Sequence, residues 1–315
     1  MDDAESKGGS GLREALARAD ATLAGIEPIL GHLLSAPDHS LFSDEIVARV
    51  RGMVADLARQ ILRAQAEATG ESGRDAFVER HGEALREHLQ GFPDLLLHCH
   101  ALAIEWQLTE RLEAQLGLDP VLSGLMQRMI ADADGWISSG AMAALAAQAR
   151  YAQAQRRMEL PLGELTGDLF HRTLLAWRDY CGDDQSEAVS RAETRLRSTY
   201  DESAGRLALF ARLVSALGDR AKGALLIEDA GCGLFFSALA ALSSQSRDLA
   251  VLASHGKQAV RLALSLRAAG MEAGQIDELL LMLHPGGAPI VGLAEMSQRE
   301  AMDLLSSAGN PGAKR

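Results

Sequence analysis

The chain has 315 residues, of which 47% are apolar, 23% charged and 4% aromatic, and its net charge is −12. This balance is typical of a globular protein with a sizeable core. The negative charge and the dispersed basic residues argue against binding to nucleic acid or to an anionic membrane, because both need a concentrated positive field. There is no apolar signal segment, no apolar run of membrane-spanning length, and only three scattered cysteines, so we expect a cytoplasmic protein.

Helical spacing of Ala, Leu, Arg, Glu and Gln runs through the first half of the chain, between breaks at Gly and Pro. We expect a frayed tail at 1–10 and helices at 12–35 (with a kink at Pro28), 44–68, 74–90, 94–116, 120–133, 139–158 and 168–180. The helix at 44–68 is the clearest amphipathic one, and Arg49 and Asp56 fall outside its apolar stripe. The alanine-rich helix at 139–158 permits close approach of helix axes, so we expect it to be central.

The second half of the chain has a different rhythm, with glycines separating shorter apolar segments. The polar segment 182–186 is a predicted domain boundary, followed by one long helix or two meeting near Asp201. We then expect helices at 219–229, 232–243, 246–255, 257–269, 272–283 and 297–307, with a tail at 308–315. The sequence therefore predicts an all-α protein, with an irregular helical bundle at 11–181 and HEAT-like, α-solenoid-like stacked helix pairs at 186–307.

The segment His98-Cys99-His100 places three good metal-ligand types side by side. On a helix, residues two apart point about 160° away from one another, so His98 and His100 could not hold one ion together. We therefore interpret all three as structural residues of a helix packed on two sides, with a role as ligands alongside another helix as the alternative.

Other motifs also favour structural roles. His81 and His88 share a helical face but are too far apart along the axis for one ion. Asp132-Ala-Asp134-Gly135 lacks the later ligands of a calcium loop, and Gly231-Cys-Gly233 follows no strand and has no Lys-Ser/Thr, so it predicts a helix–helix turn rather than a phosphate loop. The sequence indicates no cofactor and no metal site.

The densest basic and aromatic patch lies near the end of the alanine-rich helix, in Arg150-Tyr-Ala-Gln-Ala-Gln-Arg-Arg157. Basic residues there interact favourably with the helix macrodipole, which is the structural interpretation. The alternative is a docking surface for an acidic partner, formed by Arg150, Tyr151, Arg156 and Arg157.

Two segments carry a family resemblance: Met158-Glu-Leu-Pro-Leu-Gly-Glu-Leu165, and 225–239 with its Gly-containing turn and Phe-Phe-x-Ala-Leu helix. A later helix begins after Ala-Ala-Gly270-Met and carries Ile276, Leu279 and Leu280. The chain, most clearly over 140–285, resembles an alphaproteobacterial family named domain of unknown function 2336. The resemblance implies a cytoplasmic bacterial protein of HEAT-type helical stacks in signalling or cell-cycle control, and it supplies no catalytic residues.

These patterns favour a noncatalytic helical scaffold that binds an unidentified protein partner, because solenoid-like folds offer extended surfaces. The alternative is a phosphotransfer module or a metal-dependent enzyme, with a site in a helical bundle built from distant residues such as His98, Glu105 or His171. A further possibility is a homodimer formed through the alanine-rich face at 139–154.

Overall fold

The protein is described by a computed structural model that covers residues 2–26, 43–69, 73–182 and 187–308. Within these ranges the regular elements are 14 α-helices and four 3₁₀ helices, without a strand. The predicted all-α class is therefore confirmed. No helix in these ranges is both long and apolar enough to cross a membrane.

In chain order the α-helices are α1 (Asp2–Ala24), α2 (Asp44–Thr69), α3 (Arg74–Gln90), α4 (Pro93–Leu116), α5 (Gly124–Ile130), α6 (Gly135–Arg156), α7 (Gly167–Cys181), α8 (Glu187–Thr199), α9 (Arg206–Leu217), α10 (Ile227–Ser243), α11 (Arg247–Leu252), α12 (Ala259–Ala268), α13 (Ala273–Leu283) and α14 (Gln298–Ala308). The 3₁₀ helices are Leu162–Glu164, Glu202–Ala204, Gly218–Leu225 and Gly256–Gln258.

The predicted ends of the first and last helices differ from those in the structure. Residues 2–10 belong to α1 rather than to a tail. The second half of the helix predicted at 12–35, with its kink at Pro28, lies outside the described residues. So does the predicted tail at 308–315, apart from Ala308, which ends α14.

The helix predicted at 120–133 is shorter in the structure because a different residue caps it. The Asp119 carboxylate accepts hydrogen bonds from the backbone N–H groups of Val121 and Leu122 and so closes a turn. Ser123 is the N-cap, and its hydroxyl accepts from Met126 N–H at 3.2 Å. As a result, α5 does not begin until Gly124.

Of the two alternatives expected for 186–217, the structure has two helices, since α8 and α9 are separate with a 3₁₀ turn near Asp201 between them. The helix predicted at 219–229 is instead the 3₁₀ helix Gly218–Leu225. The turn predicted at Gly231-Cys-Gly233 is confined to Gly231, whose φ of 69° is a conformation that favours glycine. Cys232 and Gly233 are already buried within α10.

The described helices form two compact units of interleaved segments. Unit 1 is Met1–Ile26, Gln107–Ser138 and Phe210–Arg315, and unit 2 is Glu27–Trp106 and Ser139–Leu209. The division predicted at 182–186 does not separate them, because the helices on either side of it, α7 and α8, both belong to unit 2.

In unit 1 the first helix packs against the last part of the chain. One cluster of buried residues joins α1, α12 and α14; it includes Leu12, Leu16, Leu264, Ala268, Ala301 and Leu304. Solenoid repeats contact only their neighbours in sequence, whereas α1 is far from α12 and α14 along the chain. The HEAT-like stacking of pairs stays a prediction.

Unit 2 is built around α2, which packs against α3 and α8. The predicted apolar stripe of α2 is buried as expected, including Val50, Met53 and Leu57. Arg49 and Asp56 are buried too, which the sequence pattern did not predict. Their partners lie about a hundred residues further on and position the candidate site.

Candidate functional site

His98, Cys99 and His100 lie on α4, as predicted, and all three are buried in unit 2. Within the described part of the chain, no group of three or more His, Cys, Asp or Glu side chains is placed to hold a metal ion. The three side chains therefore lie in the interior of unit 2 and not at its surface.

The other histidines named from the sequence have separate partners. His88 Nε2 lies 3.1 Å from an Asp179 carboxylate oxygen, so this side chain joins α3 to α7. His171 is exposed, and its Nδ1 lies 3.3 Å from the guanidinium of Arg197. Neither arrangement brings a histidine to Glu105, whose partners are described below.

Asp132 and Asp134, considered as a possible calcium loop, stabilise a helix start in unit 1. Asp132 accepts from Asp134 N–H at 3.0 Å, and Asp134 accepts from Trp136 N–H at 2.8 Å. The backbone hydrogen bond from Asp134, and then Arg220 at 2.8 Å, hold the pKa of Asp132 below its ordinary value. Both carboxylates therefore serve the turn that leads into α6.

A buried polar network surrounds Arg206 at the start of α9. Its guanidinium donates to both carboxylate oxygens of Glu105, at 2.7 and 3.1 Å, and to the side-chain oxygen of Gln148 at 3.3 Å. The guanidinium also lies 3.5 Å from the centroid of the Tyr151 ring, a cation–π contact. Burial opposes the charge, but Glu105 and Tyr151 outweigh it, so the pKa of Arg206 is raised.

Glu164 completes this network from the 3₁₀ helix Leu162–Glu164. Its carboxylate accepts from the backbone N–H of Arg206 at 3.3 Å. Burial nevertheless raises the pKa of Glu164, against the opposing effects of Arg206 and Arg150. The network thus holds one buried ion pair, between Arg206 and Glu105, and one further carboxyl group, that of Glu164, whose ionisation is unfavourable.

The network contacts the buried face of α6, which carries Gln148 and Tyr151. The C-terminus of the same helix is formed by a Schellman motif. Glu159 N–H donates to Ala154 O at 2.9 Å, and Met158 N–H donates to Gln155 O at 3.0 Å. Met158 occupies the left-handed position, with φ of 55°, which glycine usually takes. A methionine in this conformation requires support from the surrounding structure.

That support comes from α2. Arg49 donates to Gln155 O at 2.9 Å, so it satisfies a carbonyl in the last turn of α6. Asp56 accepts from Leu160 N–H at 3.1 Å, and Gln60 donates to Leu160 O at 2.9 Å. These contacts explain why Arg49 and Asp56 are buried and why the chain after α6 has a defined path.

Gly52 permits the close approach that these hydrogen bonds need. A Cβ atom at this position would lie 2.6 Å from the Met158 carbonyl oxygen and 2.7 Å from its Cβ. The glycine is in the middle of α2, where an alanine would be the better helix former. The turn at the end of α6 therefore packs directly against the backbone of α2.

Of the four residues predicted to dock a partner, one lies on the buried face of α6 and three lie on its exposed face. Tyr151 is wrong as a docking residue, because it is 1% exposed and its hydroxyl donates to Leu102 O at 3.2 Å. Arg150, Arg156 and Arg157 are exposed. We call these three arginines the basic α6 surface.

The guanidinium groups of this surface make few contacts with other described residues. Arg157 pairs with Glu159 at 2.8 Å, and the Arg156 guanidinium lies 5.9 Å from the centroid of the Trp106 ring. Within the described residues Arg150 makes no ion pair at salt-bridge distance. Among the described residues, the guanidinium groups of Arg150 and Arg156 thus have no carboxylate within salt-bridge distance, and both lie in the last two turns of a firmly held helix.

Three residues that hold this surface in place were not predicted from the sequence: Arg206, Gln148 and Gln155. The available signal was local: in α6 the positions 148, 151 and 155 repeat at helical spacing, so polar side chains recur on the apolar face. Their partners in α2, α4 and α9 could not be read from that spacing.

No protein-family profile, curated protein or solved structure matches the chain. The resemblance to domain of unknown function 2336 therefore stays a prediction.

Proposed function

We propose that the protein is a noncatalytic helical scaffold whose basic α6 surface binds an acidic segment of a partner protein. The observation that carries the proposal is the exposure of Arg150, Arg156 and Arg157 at the end of a helix whose opposite face is locked by buried hydrogen bonds. We place this role in the bacterial cytoplasm, as the family resemblance implies.

Charge supports an acidic partner. The whole chain carries a net charge of −12, so three neighbouring exposed arginines form a local exception. Arginine suits such a surface because its planar guanidinium forms paired hydrogen bonds with carboxylates. Complementary charge raises the rate of encounter and suppresses partners of the wrong sign.

Rigidity also supports this role. Gln148, Tyr151 and Gln155 are buried on the inner face of α6, and they engage Arg206, Leu102 and Glu159. The outer face therefore needs little reordering when a partner binds. Preorganised surfaces lose less conformational entropy on association, which improves affinity without additional contacts.

The alanine-rich helix gives less support to a homodimer. Ala141, Ala144 and Ala147 are completely buried, so this side of α6 is already used inside the fold. A second copy would need another surface, and the homodimer stays a prediction.

The test compares tagged wild-type protein with a triple variant, Arg150→Gln, Arg156→Gln and Arg157→Gln, in a native pull-down with the bound proteins identified and their affinity then measured. The matched control removes three exposed arginines elsewhere: Arg13→Gln, Arg18→Gln and Arg80→Gln. We expect an acidic partner that binds wild type and control alike, is weakened at least about tenfold by the triple variant, and dissociates as salt is raised.

Equal binding by the triple variant and the control would overturn the proposal, as would a partner whose binding segment is basic. Circular dichroism and thermal melting of each variant establish that it is folded, since all six substituted side chains are exposed.

A further inference from the structure

A cleft of about 310 Å³ in unit 2 lies between α2, the 3₁₀ helix Leu162–Glu164, α7 and α8. Its volume is at the lower end of the range for small-molecule pockets. Ala64, Leu162 and Phe170 supply buried apolar lining. Arg63 and Arg195 also line it, and both are exposed to solvent.

The neutral polar groups of the cleft are already used within the fold. Gln60 donates to the Asp56 carboxylate at 2.8 Å and to Leu160 O at 2.9 Å, and its oxygen accepts from Leu162 N–H at 2.9 Å. Thr199 donates its hydroxyl to a carbonyl of its own helix. A ligand would therefore find few neutral donors here.

Tyr200 contributes an aromatic wall rather than a charge. Its ring is stacked on Phe170 with centroids 3.9 Å apart, and its hydroxyl donates to Leu165 O at 2.9 Å. Burial, followed by Glu202 and Asp201, raises the pKa of Tyr200 to about 12. The phenol stays neutral at physiological pH.

The charged lining has an excess of positive charge. Glu67 is the only carboxylate among the described lining residues, and it forms ion pairs with Arg195 and, at 3.8 Å, with Arg74 outside the cleft lining. Arg63 makes no hydrogen bond or ion pair within the part of the chain that the structure describes. Among the described residues, nothing engages the Arg63 guanidinium, which lies next to an apolar and aromatic wall and can bind a ligand.

We propose that this cleft binds a small amphipathic carboxylate. The carboxylate is held by Arg63 with help from Arg195, and the apolar part lies against Leu162 and Phe170. A carboxylate monoanion matches the single excess charge, and a guanidinium binds it through two parallel hydrogen bonds. The site is separate from the basic α6 surface, so the failure of either proposal leaves the other intact.

The test uses isothermal titration calorimetry on the full chain with phenylacetate as the probe and phenylacetamide as its uncharged counterpart. We expect saturable binding of phenylacetate and none of phenylacetamide. Arg63→Gln raises the Kd for phenylacetate at least about tenfold, the effect of losing a charge-assisted hydrogen-bonded pair. Arg197→Gln, on α8 but outside the cleft lining, is the matched control and leaves the Kd unchanged.

A second variant fills the cleft without altering its charges. Gly163 lines the cleft, and a Cβ atom there would meet no atom within 4 Å. Gly163→Phe should fold and abolish binding, whereas Gly163→Ala should retain it. Glu67→Gln, which releases Arg195 from its ion pair, should tighten binding.

Equal affinity for phenylacetate and phenylacetamide would overturn the proposal, as would an unchanged Kd in both Arg63→Gln and Gly163→Phe. Binding of phenyl phosphate without binding of phenylacetate would assign the site to phosphate instead. No saturable binding of phenylacetate or hexanoate at millimolar concentration would also overturn it.

Discussion

The two most deeply buried arginines among the described residues lie one in each unit, and they are paired in different ways. Arg206 in unit 2 and Arg261 in unit 1 are both 1% exposed. Arg206 binds both oxygens of Glu105, whose side chain is also 1% exposed, whereas Arg261 pairs with Asp20, whose side chain is 15% exposed. The first ion pair is removed from water at both ends, and the second retains contact with water at the carboxylate.

The comparison shows that a buried arginine need not belong to a fully buried ion pair, because its carboxylate partner can remain in contact with water. Removing one partner of a fully buried pair leaves a charge that neither protein nor water can compensate, which is expensive. When the remaining carboxylate can still reach water, most of that cost disappears. The same degree of arginine burial should therefore have different energetic consequences in the two units.

The largest expected effect is that of Arg206→Met. It removes the guanidinium that binds both oxygens of the buried Glu105 carboxylate and should lower the free energy of unfolding by about 3 to 5 kcal/mol. Arg261→Met should cost less, about 1.5 to 3 kcal/mol, the value of hydrogen bonds to a charged group. Urea titration followed by circular dichroism measures both.

The double variant Glu105→Leu with Arg206→Met sharpens this comparison, because it removes both charges. We expect it to recover much of the loss, since apolar replacement of a whole buried pair is often close to neutral. Equal costs for Arg206→Met and Arg261→Met would mean that exposure of the carboxylate does not decide the outcome.

The next largest effect on stability is expected from replacing glycines that another residue contacts closely. Gly52 and Gly124 leave equally little room for a Cβ atom. A Cβ at Gly52 in unit 2 would lie 2.6 Å from the backbone oxygen of Met158, and one at Gly124 in unit 1 would lie 2.6 Å from the side-chain carboxylate of Asp229. Gly52→Ala should therefore cost about 1 to 3 kcal/mol, because the turn after α6 must shift. In Gly124→Ala the Asp229 side chain can rotate away.

Thermal melting distinguishes the two glycine variants: a clear fall in Tm is expected for Gly52→Ala and little change for Gly124→Ala. A small effect at Gly52 would show that α2 and the turn after α6 can separate without loss of stability. That result would also weaken the argument that the basic α6 surface is rigid.

A smaller effect should appear in the pH dependence of unit 2. Burial raises the pKa of Glu164, so the folded state retains this proton to higher pH than the unfolded state does. Stability from this group is present below the ordinary glutamate pKa and is lost as pH rises through the folded-state value. Glu164→Gln should thus be more stable than wild type at neutral pH, and this advantage should shrink in acid.

The smallest effect, in unit 1, should have the opposite pH dependence. Burial, then Arg111 and His255, lower the pKa of His284. Stability from this histidine is present above its ordinary pKa, and falls as pH decreases through that value towards the folded-state pKa. His284→Gln should reduce the loss of stability measured by urea titration between neutral and mildly acidic pH; an unchanged loss would contradict the assignment.

The sequence predicted elements with periodic patterns and failed where a partner was distant. The helix predicted at 74–90 has the same bounds in the structure, and the one predicted at 44–68 differs by one residue at its end. Arg49 and Asp56 were predicted to lie outside the apolar stripe, yet both are buried, because they bind backbone groups 106 and 104 residues further along the chain. No local pattern contains those partners.

In the candidate site, too, local features were predictable from the sequence and contacts with distant segments were not. Exposed arginines at the end of α6 were predictable from composition and helix periodicity, but the assignment of Tyr151 to the same surface was wrong. Its position in the helix turns the ring inwards, beneath a guanidinium from α9. The carboxylate cleft had no sequence signal, because its lining comes from four separate elements.

By itself, the sequence determined the all-α class, most of the helix bounds and the breaks between helices, since these depend on propensity, capping and spacing within a few residues. Only the tertiary structure decided which charges are buried, which arginines remain exposed and where a cleft opens. Burial depends on which segments meet across the chain, and a side chain's hydration, pairing and pKa depend on those neighbours rather than on its own position in the sequence.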